Sequence, residues 1–217
     1  MALTLVIANK NYSSWSLRPW LALTHNKIPF DEIMIPIDTP ETSARIAKYS
    51  PAGKVPVLID GDTTIWESIA ILEHLAERFP EAGLWPKDPA ARGHARAIAT
   101  EMHGGFAALR KHCPMNLRRR KKRALTPEVE QDVKRITELW RHARERFGGS
   151  GDFLFGSFSA ADCMYAPVAT RFVSYEIDRD PVSSAYIDAV YALPAFCEWQ
   201  KAGLAETLGH RTTDAVL

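Results

Sequence analysis

Cysteine is scarce in this sequence of 217 residues, which carries Cys113, Cys163 and Cys197 and no others. No two of them form a Cys-x-x-Cys pair, and an odd, sparse set argues against a disulfide framework. The cysteine content therefore suits a reducing compartment, and we expect a cytoplasmic protein.

The sequence also lacks net charge and long apolar runs. Its 27 basic and 26 acidic side chains leave a formal charge of +1, so no overall field favours nucleic acid or a membrane surface. Residues 1–8 are too short and lack the basic flank of a signal peptide, and they predict a strand. No apolar run reaches the roughly 20 residues that span a bilayer.

Several catalytic motifs are missing as well. The sequence has no Gly-x-Ser-x-Gly elbow, no P-loop and no Rossmann glycine pattern. His103 and His112 are nine residues apart and do not share a helical face. Because no His, Cys and Asp set has the spacing of metal ligands, we expect no metal.

What the sequence does contain is a distinctive stretch at residues 50–68, SPAGKVPVLIDGDTTIWES. It predicts a strand at residues 57–59, an Asp-Gly-Asp turn and a second strand at residues 63–66. Apolar residues at helical spacing then predict a helix that starts at Glu67-Ser68. We take this strand, turn, strand and helix as the centre of the first domain.

Two features of this stretch have the chemistry to hold a small acidic peptide. Pro56 stands at a strand entry, and a cis Val55-Pro56 bond would turn the backbone of Val55 outward for pairing. The free N–H groups and the Ser68 hydroxyl at the helix start would seat a carboxylate. An ordinary hairpin followed by a capped helix fits the same spacing.

The first 80 residues predict an α/β domain with a thioredoxin-like order of elements. The pattern places the other elements at residues 3–8 (a central strand), near Ser16 (a helix with Pro19 in its first turn), at residues 30–35 (a strand) and at residues 40–48 (a short helix or irregular segment).

Residues 88–217 predict an all-α helical bundle, after a turn-rich linker at residues 81–87. Asp88-Pro89 begins a long helix. Its apolar face carries Ala95, Ile98, Met102, Phe106 and Leu109. Further helices are expected from Thr126 to Gly148, after a structural cap at Ser159 and Asp162, and at residues 186–191 and 195–202.

Residues 118–123, Arg-Arg-Arg-Lys-Lys-Arg, are the strongest charge run. Such a run binds nucleic acid in some proteins and is a solvated loop in others. Because aromatic residues do not interleave with it and the net charge is near zero, we interpret it as a loop between two helices.

The motif GKVPVL, followed nine residues after Pro56 by WES-x-AI, resembles the glutathione transferase superfamily, whose N-terminal domain is thioredoxin-like. The resemblance covers nearly all of the chain. Residues 11–18, NYSSWSLR, are similar to the serine motif of zeta-type and related transferases. Ser13, Ser14 and Arg18 match that motif, whereas Trp15 stands where the zeta class has cysteine.

The resemblance implies roles for individual residues. Ser13, with Ser14 as its alternative, would be the catalytic hydroxyl, and Ser16 would cap the helix. The residues implied for glutathione binding are Lys54 (glycyl carboxylate), Val55 (cysteinyl backbone), Glu67 (γ-glutamyl ammonium) and Ser68 (γ-glutamyl carboxylate). The candidates for the electrophile pocket are Tyr12, Trp15, Met102, Phe106 and Met115.

The implied function is that of a detoxifying glutathione transferase, a cytoplasmic homodimer that uses glutathione as co-substrate. A glutathione-dependent isomerase of the maleylacetoacetate type, a dehalogenase and a non-catalytic binding module of the same fold are the alternatives. A thiol–disulfide oxidoreductase is disfavoured, since residues 13–16 contain no cysteine. The sequence does not identify the electrophile.

Overall fold

The structure, a computed structural model, describes residues 3–216. Residues 1, 2 and 217, which the predicted strand and domains include, lie outside the described residues. The described elements are β1 (Leu3–Ala8), α1 (Ser14–His25), β2 (Phe30–Ile35), α2 (Thr42–Ala47), β3 (Val57–Asp60), β4 (Thr63–Trp66), α3 (Ser68–Arg78), a 3-10 turn (Pro80–Ala82), α4 (Pro89–Gly104), α5 (Ala107–His112), α6 (Pro127–Phe147), α7 (Ala160–Ser174), α8 (Pro181–Ala192), α9 (Pro194–Ala205) and α10 (Arg211–Asp214).

The strands within the described part form one sheet in the order β2-β1-β3-β4. β1 pairs with β2 in parallel and with β3 antiparallel, and β3 pairs antiparallel with β4. β1 is central because it is apolar on both faces, as its sequence predicted. This α/β part followed by helices confirms the predicted fold class, a thioredoxin-like domain followed by an all-helical one.

The two faces of the sheet pack against unequal cores. Leu5 and Ile7 of β1 belong to the larger cluster, which α1, α3 and the helices of the second half share. Val6 points to the smaller cluster, together with Ile46 of α2 and Val57 of β3. Alternation along β1 therefore places one α-helical layer on each side of the sheet.

α1 begins earlier than its sequence predicted. Ser13, not Ser16, is the N-cap, and its Oγ accepts a hydrogen bond from Ser16 N at 3.3 Å. Pro19 consequently lies in the second turn and not in the first. The expected cap was displaced because Ser16 Oγ instead accepts a hydrogen bond from Ala8 N of β1, at 3.1 Å.

The long helix predicted from Pro89 through Leu109 is broken. α4 ends at Gly104, Phe106 adopts a left-handed φ of 55°, and α5 starts at Ala107. Gly104-Gly105 supplies the weak helical propensity that permits the break.

The other helices predicted for the second half are present, although some begin or end at different residues. Thr126 caps α6 through Val129 N, and Asp162 at the start of α7 accepts hydrogen bonds from Ser159 N and Leu154 N. α8 starts five residues earlier than expected, after an Asp180 cap. The short helix α10 has no counterpart among the predicted helices.

None of the helices within residues 3–216 is long and apolar enough to cross a membrane.

Candidate functional site

A cavity of about 460 Å³ opens at the ends of β1 and β3, beside the starts of α1 and α3. Its lining residues belong to the first 68 residues of the chain: Ala8, Ser13, Trp15, Ile37, Ile46, Ala52, Gly53, Lys54, Val55, Pro56, Trp66, Glu67 and Ser68. The structure thus brings together one of the two serines, Trp15 and all four predicted glutathione-binding residues.

Of the two candidate serines, Ser13 lines the cavity and Ser14 does not. Ser13 is half-buried and lines the cavity, whereas Ser14 is buried and lies outside its lining. Ser13 Oγ lies 2.7 Å from Ser16 Oγ, and the latter accepts a hydrogen bond from Ala8 N. Ser13 is the donor in this pair and Ser16 Oγ accepts from both Ser13 and Ala8 N, so the Ser13 hydroxyl must rotate away from Ser16 before it donates to a ligand.

The opposite wall is the turn into β3. The Val55-Pro56 peptide bond is cis, as the sequence analysis considered. Val55 is half-buried at the rim, and Lys54 is exposed beside it, with its backbone N–H donating to Ser50 Oγ at 3.0 Å. Lys54 also lines the cavity.

The N-terminus of α3 forms the third wall. Glu67 has a φ of 67°, which is uncommon for a residue with a side chain, and within residues 3–216 no side chain caps this helix. The first-turn N–H groups consequently remain available to an anion, and the helix dipole adds positive potential there.

Arg18 supports this wall from beneath. The guanidinium is buried, stacks on Trp15 at 4.1 Å and donates from Nη1 to Ser68 Oγ at 3.1 Å. Since arginine has only donors, Ser68 Oγ accepts from Arg18, and it donates its own proton to Met164 Sδ at 3.9 Å. In the described part of the chain, no acceptor meets Arg18 Nε.

The buried position lowers the pKa of Arg18 to about 9, first through desolvation and then through Arg171. The sequence analysis noted Arg18 only as part of a motif. A signal was present, because Arg18 interrupts the apolar run from Leu17 to Leu23. A charged residue on the buried face of a helix is rare unless it has a partner.

His103 of α4 reaches the same wall from the second half of the chain. Its Nε2 lies 3.3 Å from Glu67 Oε2, and its ring meets Trp15 edge-on at 5.2 Å. Burial, together with the nearby Arg18, lowers the pKa of His103, which favours the neutral form of the ring at pH 7. In the sequence, His103 stands out only as a possible metal ligand, and no local pattern predicts its contact to Glu67.

The two halves of the chain match two related family models. A glutathione S-transferase N-terminal domain matches residues 12–78, and a glutathione S-transferase C-terminal domain matches residues 126–192. The chain belongs to the glutathione transferase superfamily.

Individual relatives within or near this superfamily carry different names. The chain is 25% identical over 189 residues to a probable maleylacetoacetate isomerase of Caenorhabditis elegans, which covers 85% of this chain and 87% of that protein. It is 26% identical over 156 residues to a stringent starvation protein A homolog of Pasteurella multocida, covering 72% and 70% respectively.

The fold also resembles solved structures. A glutathione transferase homolog from Burkholderia GL BGR1, crystallised with bound glutathione, superposes with a TM-score of 0.71 at 20% identity. The match covers 95% of this chain and 100% of that one.

The electrophile pocket implied by the transferase resemblance is only partly present at the cavity. Trp15 lines it, whereas Tyr12, Met102, Phe106 and Met115 are buried outside its lining. Met102 is fully enclosed in the core between α4 and its neighbours, and the Tyr12 hydroxyl donates to Asp214. Near Trp15, the second half of the chain contributes His103 and Arg110 instead.

Proposed function

We propose that this protein binds glutathione in the cavity and activates its thiol for attack on a small electrophile. One observation carries the proposal: the Ser13 hydroxyl and the uncapped N-terminus of α3 line the same cavity. A thiol to be activated and a carboxylate to be anchored are the two chemistries that these groups serve.

The binding roles follow the groups that each wall offers. The Ser68 hydroxyl and the first-turn N–H groups of α3 would hold the γ-glutamyl carboxylate, and Glu67 would take the ammonium. The backbone of Val55 would pair with the cysteinyl unit, and Lys54 would reach the glycyl carboxylate. Every charged end of the tripeptide then meets a group of opposite charge or a donor.

Ser13 would lower the pKa of the bound thiol. A free thiol titrates near ~8.5, so most of it is protonated at pH 7, and the thiolate is the nucleophile. A hydroxyl that donates to sulfur favours the charged form, and the N-terminus of α1 adds positive potential beside it. Ser13 donates to Ser16 Oγ in this structure, and its hydroxyl would rotate to donate to the sulfur of bound glutathione.

The test of this proposal is a panel on one purified sample: calorimetric titration with glutathione, conjugation of an aryl halide and isomerisation of a cis-enol diketone. Binding with turnover in either assay supports the proposal. No binding at millimolar glutathione would contradict it.

Two other functions have specific support. The relative named probable maleylacetoacetate isomerase favours a glutathione-dependent isomerase, and turnover of the diketone alone would select it. The relative named stringent starvation protein A homolog favours a binding module, which glutathione binding without turnover in any assay would select.

A further inference from the structure

The loop that delivers Ser13, residues 9–13, is anchored on the C-terminal end of the chain. Lys10 N donates to Glu206 Oε1 at 2.6 Å and Asn11 N donates to Glu206 Oε2 at 3.1 Å. Trp199 of α9 donates from Nε1 to Lys10 O at 3.0 Å. One carboxylate thus satisfies two successive backbone N–H groups, and these charge-assisted bonds are stronger than neutral ones.

Two side chains of the loop also form hydrogen bonds to the second half of the chain. Asn11 is fully buried, its Nδ2 donates to Asn116 Oδ1 at 3.1 Å, and its Oδ1 accepts from Arg118 N at 3.0 Å. The Tyr12 hydroxyl donates to Asp214 Oδ2 at 2.9 Å. Asn11 and Tyr12 immediately precede Ser13, so these bonds act within two residues of the cavity.

Residues 206–214, which we call the C-terminal strap, are themselves held in place. Arg118, the half-buried first residue of the basic run, donates to Glu206 O at 2.5 Å and to Leu208 O at 2.8 Å. Asn116 Nδ2 donates to Asp214 Oδ1 at 2.9 Å, and Arg211 pairs with Asp38 at 3.1 Å. Part of the basic run therefore binds the strap, while its remainder is an exposed loop as predicted.

α9, which leads into the strap, approaches the loop closely. A Cβ at Gly203 would lie 3.1 Å from both Asn11 N and Lys10 C, and 3.0 Å from Leu117 Cδ1. These distances are tighter than ordinary van der Waals contact, and two of the atoms are backbone. The absence of a side chain at Gly203 therefore allows the loop to sit where it does.

We propose that the C-terminal strap sets the position of Ser13, with Glu206 and Asp214 acting as positioning residues that touch neither glutathione nor the electrophile. The inference rests on the proposed function of the cavity. A hydroxyl that must meet a sulfur atom tolerates little displacement, because misplacement by about 1 Å from a distant change costs up to roughly a hundredfold in rate. Glutathione itself would be held by the turn before β3 and by the start of α3, neither of which belongs to the strap.

The decisive variant is Glu206→Gln. It keeps the size of the side chain but has only one acceptor oxygen for the two backbone N–H groups. The side-chain NH₂ group would face the second backbone N–H, so that two donors meet. We expect kcat/KM to fall by about tenfold or more, and the ultraviolet titration of bound thiolate to move to higher pH. The dissociation constant of glutathione should change by less than about threefold, since its binding groups are untouched.

Glu198→Gln is the matched control, because Glu198 is an exposed glutamate on α9. Asp214→Asn, which weakens the contact to Tyr12, should move the thiolate titration in the same direction as Glu206→Gln. If Glu206→Gln keeps the kcat/KM and the titration of the folded wild type, the proposal is wrong. An equal loss of glutathione affinity would also contradict it, since that indicates general loosening.

Hydrogen exchange separates this proposal from the function on which it rests. In Glu206→Gln, the amides of Lys10 and Asn11 should exchange faster, while those of α3 should not change. If the wild type fails to bind glutathione, the proposed function fails and the exchange result alone decides whether the strap holds the loop. Unchanged exchange at Lys10 and Asn11 would contradict the proposal that the C-terminal strap holds the loop in place.

Discussion

At the scale of single residues, Ser13 and Ser14 are neighbours with different surroundings. Ser13→Ala should raise the pH at which bound glutathione ionises and lower kcat/KM by about a hundredfold, because it removes a donor to the developing charge. Ser14→Ala, at the buried neighbour, should leave the pH of ionisation and kcat/KM nearly unchanged. Ultraviolet titration of bound thiolate in each variant measures the pH of ionisation. A shift in Ser14→Ala but not in Ser13→Ala would show that Ser14, and not Ser13, stabilises the thiolate.

Ser68 and Glu67 should differ in their effect on affinity. Ser68 is fully buried, and Ser68→Ala should weaken glutathione binding by roughly 1.5–3 kcal/mol, the contribution of a hydrogen bond to a charged group. The Glu67 side chain is 48% exposed, so solvent screening limits Glu67→Ala to about 1 kcal/mol or less. Calorimetry measures both, with Glu73→Ala on the outer part of α3 as control. Unchanged affinity in both variants would exclude the assignment.

At the scale of elements, the start of α7 depends on one buried carboxylate. Asp162 is fully buried and accepts from Leu154 N, Ser159 N and Ser159 Oγ. Burial nevertheless raises its pKa to about 6, from an ordinary value of 3.8. A carboxyl group whose pKa is raised on folding binds its proton more tightly in the native state. Its contribution to stability is therefore full below pH ~4 and is lost as the pH rises through about 6.

Asp162→Asn provides the measurement, since asparagine does not titrate. The free energy of unfolding of the wild type minus that of Asp162→Asn should decrease between pH 4.5 and 7.5, by up to roughly 3 kcal/mol. Urea unfolding of both proteins across this range tests it, with the exposed substitution Asp178→Asn as control. A difference that stays constant or grows with pH would contradict the prediction.

At the scale of the whole molecule, we predict a homodimer in which the first domain of one subunit meets the second domain of the other. Two tryptophans near the domain edge, Trp66 and Trp85, differ in their exposure. Trp66 is 42% exposed on the edge strand β4 and remains available to a partner, whereas Trp85 is buried within its own chain. Sedimentation at micromolar concentration with glutathione present should give a mass near two chains. A mass near 24.3 kDa would rule out the dimer.

The sequence by itself determined the order of elements in the first domain and much of the cavity, but not the break between α4 and α5 or the helix α10. Period-two and period-3.6 apolar patterns are local, so the sheet strands, α3 and α6 were predictable from neighbouring residues. The resemblance to the transferases pointed to Lys54, Val55, Glu67 and Ser68, and a short hairpin followed directly by a helix start keeps them close together. The cap of α7 could also be predicted from local sequence, because Ser159 and Asp162 lie within one helical turn.

Only the tertiary structure decided which serine caps α1 and which faces the cavity. Ser16 was drawn away from the capping role by Ala8 N of β1, a contact that no local pattern encodes. Likewise, Arg18 with Ser68, His103 with Glu67 and Lys10 with Glu206 join residues 36 to 196 positions apart in sequence. Spacing rules describe one element at a time, whereas these contacts exist because packing brings α3, α4 and the C-terminal strap against the start of α1.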